Sequence, residues 1–411
     1  MIKNYEISSL KKQQIETGRK LILWGAGDLG ELSFVALKQL GIKVDSFCDN
    51  NSDKHDTEYL DCPVISPNKL REYDKETIVF ISCNYLDVIE KQLIELGFKN
   101  IYNCFKILSA ADYSNFSQVK YLHPLKIERR IEYYKSLCFK EEYSKNGVLN
   151  IKSIDIQITE RCSLKCSNCS NLMQYYEKPQ NSDLEMLFKN IDRFMDCVDD
   201  VYEFRVLGGD PFMNKDIHKV VDKLKVFEKV KKIIIYTNAR VIPKNENLEC
   251  LKHKKVILDV TNYGKASSKH DELLKVLDKN NIAYSTVLTT KWQDCGRILP
   301  YQNRTREENK KKFSNCCNSD LVSLLHGKLY RCPFSANGTN LKAFPYDKTD
   351  IVDLNDQSIS NQEIKKQIKN LVYNKEFLTA CSYCNGRDYD VPVIKAAEQS
   401  SKPIPYKIQS E

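Results

Sequence analysis

No run of eighteen consecutive apolar residues occurs in the 411-residue chain, so no membrane-spanning helix is expected. The opening MIKNYEISSLKKQQ lacks the short apolar region and small-residue cleavage site of a secretory signal, and a cytoplasmic protein is expected. Basic residues interleaved with aromatics are also missing. Lys310, Lys311 and Lys312 make too short a run to call for a nucleic-acid partner. Internal repeats and low-complexity tracts are absent. What remains, 42% hydrophobic and 29% charged residues, is the composition of a folded globular protein, and the length suits two or three domains. The net charge of +8 is modest for this length, and an anionic or phosphorylated substrate fits it.

Cysteine, by contrast, is abundant. Sixteen cysteines in a reducing compartment do not make a disulfide framework, so the clustered ones read as metal ligands or redox groups. Eight are scattered (Cys48, Cys62, Cys83, Cys104, Cys138, Cys197, Cys250 and Cys295) and read mostly as small buried hydrophobes.

The first hundred residues alternate between strand and helix. KLILWGAG (20–27) reads as a buried strand entering a glycine turn, and DLGELSFVALKQLG continues as a helix ending at Gly41. IKVDSFCDN, CPVISPNKL, TIVFIS, a helix from about Tyr85 to Leu96, and NIYNC follow, which predicts a parallel α/β sheet. Residues 109–150 carry two expected helices and read as a connector. A second alternation starts at SIDIQI (153–158) and runs through strands at 203–208, 232–237, 255–260 and 283–288, with helical stretches at 214–229 and 270–279. Ser182 with Glu185 reads as a capping box for LEMLFKNIDRFMDCV. Five strands are too few for an eight-stranded barrel, so an incomplete one is expected. From residue 313 the pattern changes to a hairpin turning at His326 and Gly327, a helix over 361–378, and CSYC. Residues 396–411 read as a mobile tail.

Cys162, Cys166 and Cys169, in CSLKCSNC, follow the first strand of that second alternation. Three thiolates can hold three irons of a cubane and leave the fourth open to an exogenous ligand. A structural zinc would need a fourth ligand that this loop lacks. Further on, Cys317, Gly327 and Cys332 stand in C-X9-G-X4-C spacing, and Cys381 and Cys384 form CX2C. Those four thiols suffice for a second cubane or a zinc site, with Cys316 able to replace Cys317. In the N-terminal segment Gly25, Gly27 and Gly30 form G-X-G-X-X-G, with Asp49 about twenty residues on. That spacing lets backbone amides meet a pyrophosphate and a carboxylate meet a ribose, although such a turn also serves as a simple strand-to-helix joint.

CX3CX2C after the first barrel strand, GGDP (208–211) ending the second and TNAR (237–240) ending the third together resemble the radical S-adenosylmethionine (SAM) superfamily. Two departures stand: Asn168 occupies a usually aromatic position before the third cysteine, and the usual GGEP is GGDP. The resemblance implies a [4Fe-4S] cluster with one open iron that chelates SAM, a 5′-deoxyadenosyl radical, and a flavodoxin- or ferredoxin-type electron donor. It places the backbone of Gly208, Gly209 and Asp210 at the SAM amino group and Thr237 and Asn238 near its ribose or carboxylate, with Asn262 a further candidate. The later cysteines resemble the twitch and SPASM extensions, which bind an auxiliary [4Fe-4S] cluster. Residues 20–104 resemble Rossmann-like domains of nucleotide-sugar and capsule-modifying enzymes.

The expected fold is therefore α/β. It comprises a Rossmann-like parallel sheet (1–108), the helical connector (109–150), a partial (β/α)6 radical SAM barrel (151–312), a twitch-type extension (313–395) and the tail. The expected activity is hydrogen abstraction from a carbohydrate, a nucleotide-linked or phosphorylated sugar, with oxidation or epimerisation at a carbinol carbon. Cys295 in KWQDCG is the candidate hydrogen donor, and Asp294 and His326 are candidate bases. A peptide maturase and a non-catalytic iron-sulfur regulator are the alternatives.

Overall fold

The computed structural model describes residues 5–83, 86–111, 148–316, 318, 321–388 and 391–408. Most of the expected connector, with both its helices and Cys138, lies outside those residues, as does Cys317. The chain divides into two compact units, residues 1–142 and 143–411. Among the described residues no helix is long and apolar enough to cross a membrane.

In the first unit a six-stranded sheet has the order β3-β4-β2-β1-β5-β6. The strands are β1 (Leu21–Trp24), β2 (Ser46–Cys48), β3 (Glu58–Tyr59), β4 (Cys62–Ile65), β5 (Ile78–Ile81) and β6 (Asn100–Asn103). All pairings are parallel except β3 with β4. β1 is buried on both faces, which is why LILW shows no polar alternation. Leu21, Leu23, Phe47 and Phe80 pack on one side with Leu32, Ala36 and Leu37 of the helix Asp28–Gln39. Ile22, Trp24, Val79 and Ile81 pack on the other with Ile89 and Leu93 of the helix Leu86–Glu95. A first helix, Ile7–Thr17, had no clear signal in the sequence because it buries only Leu10.

Gly30 lets the helix Asp28–Gln39 sit on the strand turn. A Cβ there would lie 2.0 Å from the Gly25 carbonyl oxygen and 3.3 Å from the Phe47 ring. Gly30→Ala is expected to cost about 2 kcal/mol through overpacking. Urea unfolding followed by fluorescence of the buried Trp24 checks this, and an unchanged midpoint would refute it.

The second unit is built on an eight-stranded sheet of order β11-β10-β9-β8-β7-β13-β14-β15. Its strands are β7 (Asn150–Thr159), β8 (Asp200–Gly208), β9 (Val230–Thr237), β10 (Val256–Asn262), β11 (Tyr284–Leu288), β13 (Leu321–Leu325), β14 (Lys328–Tyr330) and β15 (Val352–Asp353). β7 to β11 lie side by side in chain order and run parallel. Ile154, Ile156, Phe204, Val206, Ile233 and Ile235 face a core filled by Leu187, Ile191, Phe194, Val220, Leu224, Leu273 and Leu277. Those seven come from the helices Leu184–Cys197, Ile217–Lys225 and His270–Lys279. The intervening residues Asp155, Arg205 and Tyr236 line a cavity on the opposite face. The period of two along each strand thus separates core from site.

Several expectations need correction. The helix after the cysteine loop is capped by Asp183, whose side chain accepts the Met186 N–H, while the Ser182 hydroxyl donates to the Gln157 carbonyl. The helix expected at 361–378 ends at Lys369 and passes into one wider turn, Asn370–Asn374. The hairpin turns at His326 (φ +48°) and Gly327 (φ +75°), as expected for a turn with two positive φ angles. Its first strand, β13, then pairs in parallel with β7, Leu321 opposite Ser153. The C-terminal segment is not a loose tail. β16 (Val393–Lys395) pairs antiparallel with β12 (Lys291–Gln293), and the Ile404 N–H donates to the Gln174 carbonyl at 2.9 Å. Tyr406 meets Tyr175 edge to face and donates its hydroxyl to the Leu341 carbonyl. These partners are distant in sequence, so the polar run QSSKPIPYK gave no sign of them.

Candidate active site

The C-terminal ends of β7, β8, β9 and β10 open onto a cavity of about 570 Å³. Cys162, Cys166 and Cys169 all line it, together with Gly208, Gly209, Thr237 and Asn238. Two glycines are required where β8 ends against the cysteine loop. A Cβ on Gly208 would lie 2.0 Å from the Thr159 carbonyl oxygen, and one on Gly209 would lie 2.2 Å from the Arg161 carbonyl oxygen and 2.7 Å from Cys162 Cβ. The amide of Gly209 donates to the Thr159 carbonyl and that of Asp210 to the Arg161 carbonyl, which fixes the loop to the strand end.

Asp210 is buried and does not present its carboxylate to the cavity. Oδ2 accepts the Thr237 hydroxyl at 2.9 Å and the Asn238 amide at 3.1 Å, and Oδ1 accepts the Phe212 amide at 3.0 Å. Burial pushes its carboxyl above the usual carboxylate range, with these three donors opposing. Asp210 thus joins the ends of β8 and β9. Asn238 in turn places its side-chain amide nitrogen 3.6 Å from Cys162 Sγ and accepts the Ser163 hydroxyl. Asn262 caps a turn by accepting the Gly264 amide, while its neighbours Thr261 and Tyr263 line the cavity.

Burial raises all three thiols: Cys162 well above the usual thiol range, Cys166 to about 11, and Cys169 upward. As bare thiols they are neutral, and a bound cation would be needed to hold them as thiolates. Among the described residues no three Cys, His, Asp or Glu side chains stand close enough to share one metal ion. A cubane asks for a different arrangement, one thiolate at each of three irons, and three cysteines on one cavity wall suit it.

A second, smaller cavity of about 30 Å³ is lined by Cys316, Cys332, Cys381 and Cys384. Backbone amides already point at three of these sulfurs: Ser335 at Cys332 (3.2 Å), Leu378 at Cys381 (3.5 Å) and Gly386 at Cys384 (3.0 Å). Such donors favour the thiolate, while burial opposes it, pushing Cys381 up to about 12. Arg304 donates to the carbonyls of Cys381 and Cys384 and pins the CX2C turn.

Cys295 lines both cavities and is 7% exposed; its Sγ accepts from Arg387 Nε at 3.2 Å. The candidate bases stand elsewhere. His326 Nε2 is 3.2 Å from Glu160 Oε1, and the backbone of Asp294 is tied to Pro392 and Asn385. Neither lines the cavity beside the three cysteines.

Asp155, Arg205 and Tyr236 went unnoticed in the sequence. Arg205 Nε lies 3.0 Å from Asp155 Oδ1, misaligned for a hydrogen bond, and the guanidinium stacks 4.9 Å above the Tyr236 ring. Desolvation pushes Asp155 up to about 6, with Arg205 opposing. The signal was present: SIDIQIT alternates polar with apolar residues although the strand is buried on both faces, and the polar ones, Asp155 among them, mark the face away from the core.

In the first unit Gly25, Gly27 and Gly30 form the turn after β1, and Asp49 closes on it. Its Oδ2 accepts the Ala26 amide at 2.9 Å and the Lys54 ammonium at 3.0 Å, and its Oδ1 accepts the Asn51 amide. The carboxylate therefore holds the turn, and a ribose would compete for it.

Residues 156–285 match the family model described as Radical SAM superfamily, and residues 17–102 match one described as C2185-like, N-terminal. That first match supports membership of the radical SAM superfamily. With it come SAM and a [4Fe-4S] cluster as the cofactors that the three-cysteine cavity fits. A curated GTP 3′,8-cyclase from Clostridium acetobutylicum is 26% identical over 134 residues, 32% of this chain, and the chain spans 40% of that relative's length. Among solved structures, BtrN in complex with AdoMet and 2-DOIA is similar at 16% identity and a TM-score of 0.38, over 61% of this chain and 97% of that one. Streptococcus suis SuiB bound to S-adenosylmethionine is similar at 17% identity and a TM-score of 0.30, over 49% and 43%.

Proposed function

We propose that this radical SAM chain abstracts a hydrogen atom from a hydroxyl-rich substrate, a nucleotide-linked or phosphorylated sugar, giving oxidation or epimerisation at a carbinol carbon. A [4Fe-4S] cluster on Cys162, Cys166 and Cys169, with SAM, supplies the 5′-deoxyadenosyl radical for that step. The polar cavity floor carries the reading. Arg205 is held from behind by Asp155 and remains 26% exposed, so it offers directed N–H donors whose charge is partly offset. That arrangement suits neutral hydroxyls better than a second carboxylate. Lys291 and Arg387, on the same cavity, supply positive charge for a phosphate.

Cys332, Cys381 and Cys384, with Cys316 or Cys317, would hold an auxiliary cluster beside Cys295. In an oxidation the substrate radical would lose one electron to that cluster and a proton to solvent; in an epimerisation Cys295 would return a hydrogen atom, and its thiyl radical would take back one electron from the external flavodoxin- or ferredoxin-type donor together with a proton. As a separate site within the first unit, the glycine turn Gly25, Gly27 and Gly30, with Asp49 and Lys54 beside it, is proposed to bind a nucleotide.

Anaerobic reconstitution, dithionite reduction and chromatography of 5′-deoxyadenosine test the reading, with UDP-, dTDP- and GDP-sugars screened for acceleration. SAM left untouched by fully reconstituted protein would sink the enzyme reading; acceleration by peptides and by no sugar would move it to peptide modification.

A pH dependence follows from Asp155. Its folded-state acidity is weakened, so its contribution to stability is full below the ordinary carboxylate range and is lost as the pH rises towards 6. Recognition has the opposite sign, because Arg205 has its counterion only above about 6. For whichever sugar accelerates turnover, kcat/KM is expected to fall by up to about tenfold per pH unit below that point. The inflection should vanish in Asp155→Asn, and its persistence there would refute the assignment.

A further inference from the structure

The C-terminal segment crosses the outside of the three-cysteine loop. Ala397 packs on Leu164 and Cys166. The Ser167 amide donates to the Glu398 carbonyl at 2.7 Å, and the Ser400 amide donates to the Lys165 carbonyl at 2.6 Å. Between them, Gln399 Oε1 accepts the Lys165 amide at 2.8 Å. That contact decides which way the side-chain amide faces, because only an oxygen can accept a backbone N–H. The nitrogen end therefore points the other way, where Nε2 meets Cys166 Sγ at 3.3 Å and the Ala397 carbonyl at 2.7 Å.

The oxygen end of Gln399 is thus held by the loop, and the nitrogen end by the loop and the strap together. Cys162 receives comparable donors from within its own domain, the Leu164 amide at 3.4 Å and Asn238 Nδ2 at 3.6 Å. The donor at Cys166 comes from a segment more than two hundred residues away.

We propose that Gln399 is a positioning residue that sets the reduction potential of the cluster held by Cys162, Cys166 and Cys169. The strap Val393–Tyr406 places it. An N–H donor on a ligating sulfur draws charge from it and stabilises the reduced cluster, which carries one more negative charge. The inference rests on the reading that these three cysteines hold the cluster.

Its test is a dithionite titration with redox mediators, followed by electron paramagnetic resonance of the reconstituted full chain. The signal of this cluster is assigned by its response to added SAM, and iron is quantified in parallel. In Gln399→Ala the ratio of reduced to oxidised cluster at the wild-type midpoint is expected to fall about tenfold, a shift of ~59 mV for one electron. Gln399→Glu should fall further, because it replaces the donor by a negative charge. Midpoints unchanged in both variants would overturn the proposal. Iron lost from the variants with no change in the midpoint of the remaining fraction would also overturn it, since the strap would then be only a cover. A wild-type protein with iron but no SAM-responsive signal would overturn the cluster reading itself, and this inference with it.

Discussion

The triple variant Cys162→Ala, Cys166→Ala, Cys169→Ala is expected to keep about half the iron of the reconstituted wild-type protein and to release no 5′-deoxyadenosine. The loop does not depend on its sulfurs for shape. The Cys169 amide donates to the Cys166 carbonyl, the Leu172 amide donates to the Cys169 carbonyl, and the strap's backbone bonds Lys165 and Ser167. The second group, Cys316, Cys332, Cys381 and Cys384, lines its own cavity and keeps its own backbone donors. Iron analysis with circular dichroism checks the outcome. Complete loss of iron from a folded variant would refute the two-cluster reading, and retained SAM cleavage would refute the placement of the first cluster.

The parts of the site written in short, local patterns were legible in the sequence. The cysteine spacing, the glycine pair at 208–209 and the strand ends carrying Thr237 and Asn238 are set by backbone geometry within a few residues, and the fold places all of them on one cavity. The parallel arrangement of both sheets was legible for the same reason, since helices and strands alternate and hydrophobic periodicity marks each. What escaped were contacts between distant segments of ordinary composition. β13 reads as half of a hairpin, and only the exposed edge of β7 makes it a sixth parallel strand. The sequence around Gln399 is polar and rich in serine and proline; its order comes from pairing with β12 and the cysteine loop, neither of which leaves a mark on its own pattern.

Asp210 shows a local motif whose chemistry changed once its neighbours were known. GGDP keeps the acceptor charge of the usual motif on a side chain one methylene shorter, with the backbone of Gly208, Gly209 and Asp210 expected at the cofactor. The carboxylate itself is 1% exposed and takes three donors from β9 and the turn after β8. Asp210→Ala would strand the Thr237 hydroxyl and the amides of Asn238 and Phe212 without an acceptor, and is expected to cost about 3 kcal/mol of stability. It should also raise the KM for SAM, because Asn238 loses the anchor that holds it beside Cys162. Asp210→Glu would not be a neutral return to the more usual residue, since one more methylene must enter a closed network, at about 1–3 kcal/mol. Denaturant unfolding of both variants, with KM for SAM measured by 5′-deoxyadenosine release, tests the assignment. An alanine variant as stable as wild type, with an unchanged KM, would show that the carboxylate is dispensable to the junction of β8 and β9 and that Thr237 and Asn238 are held by something else.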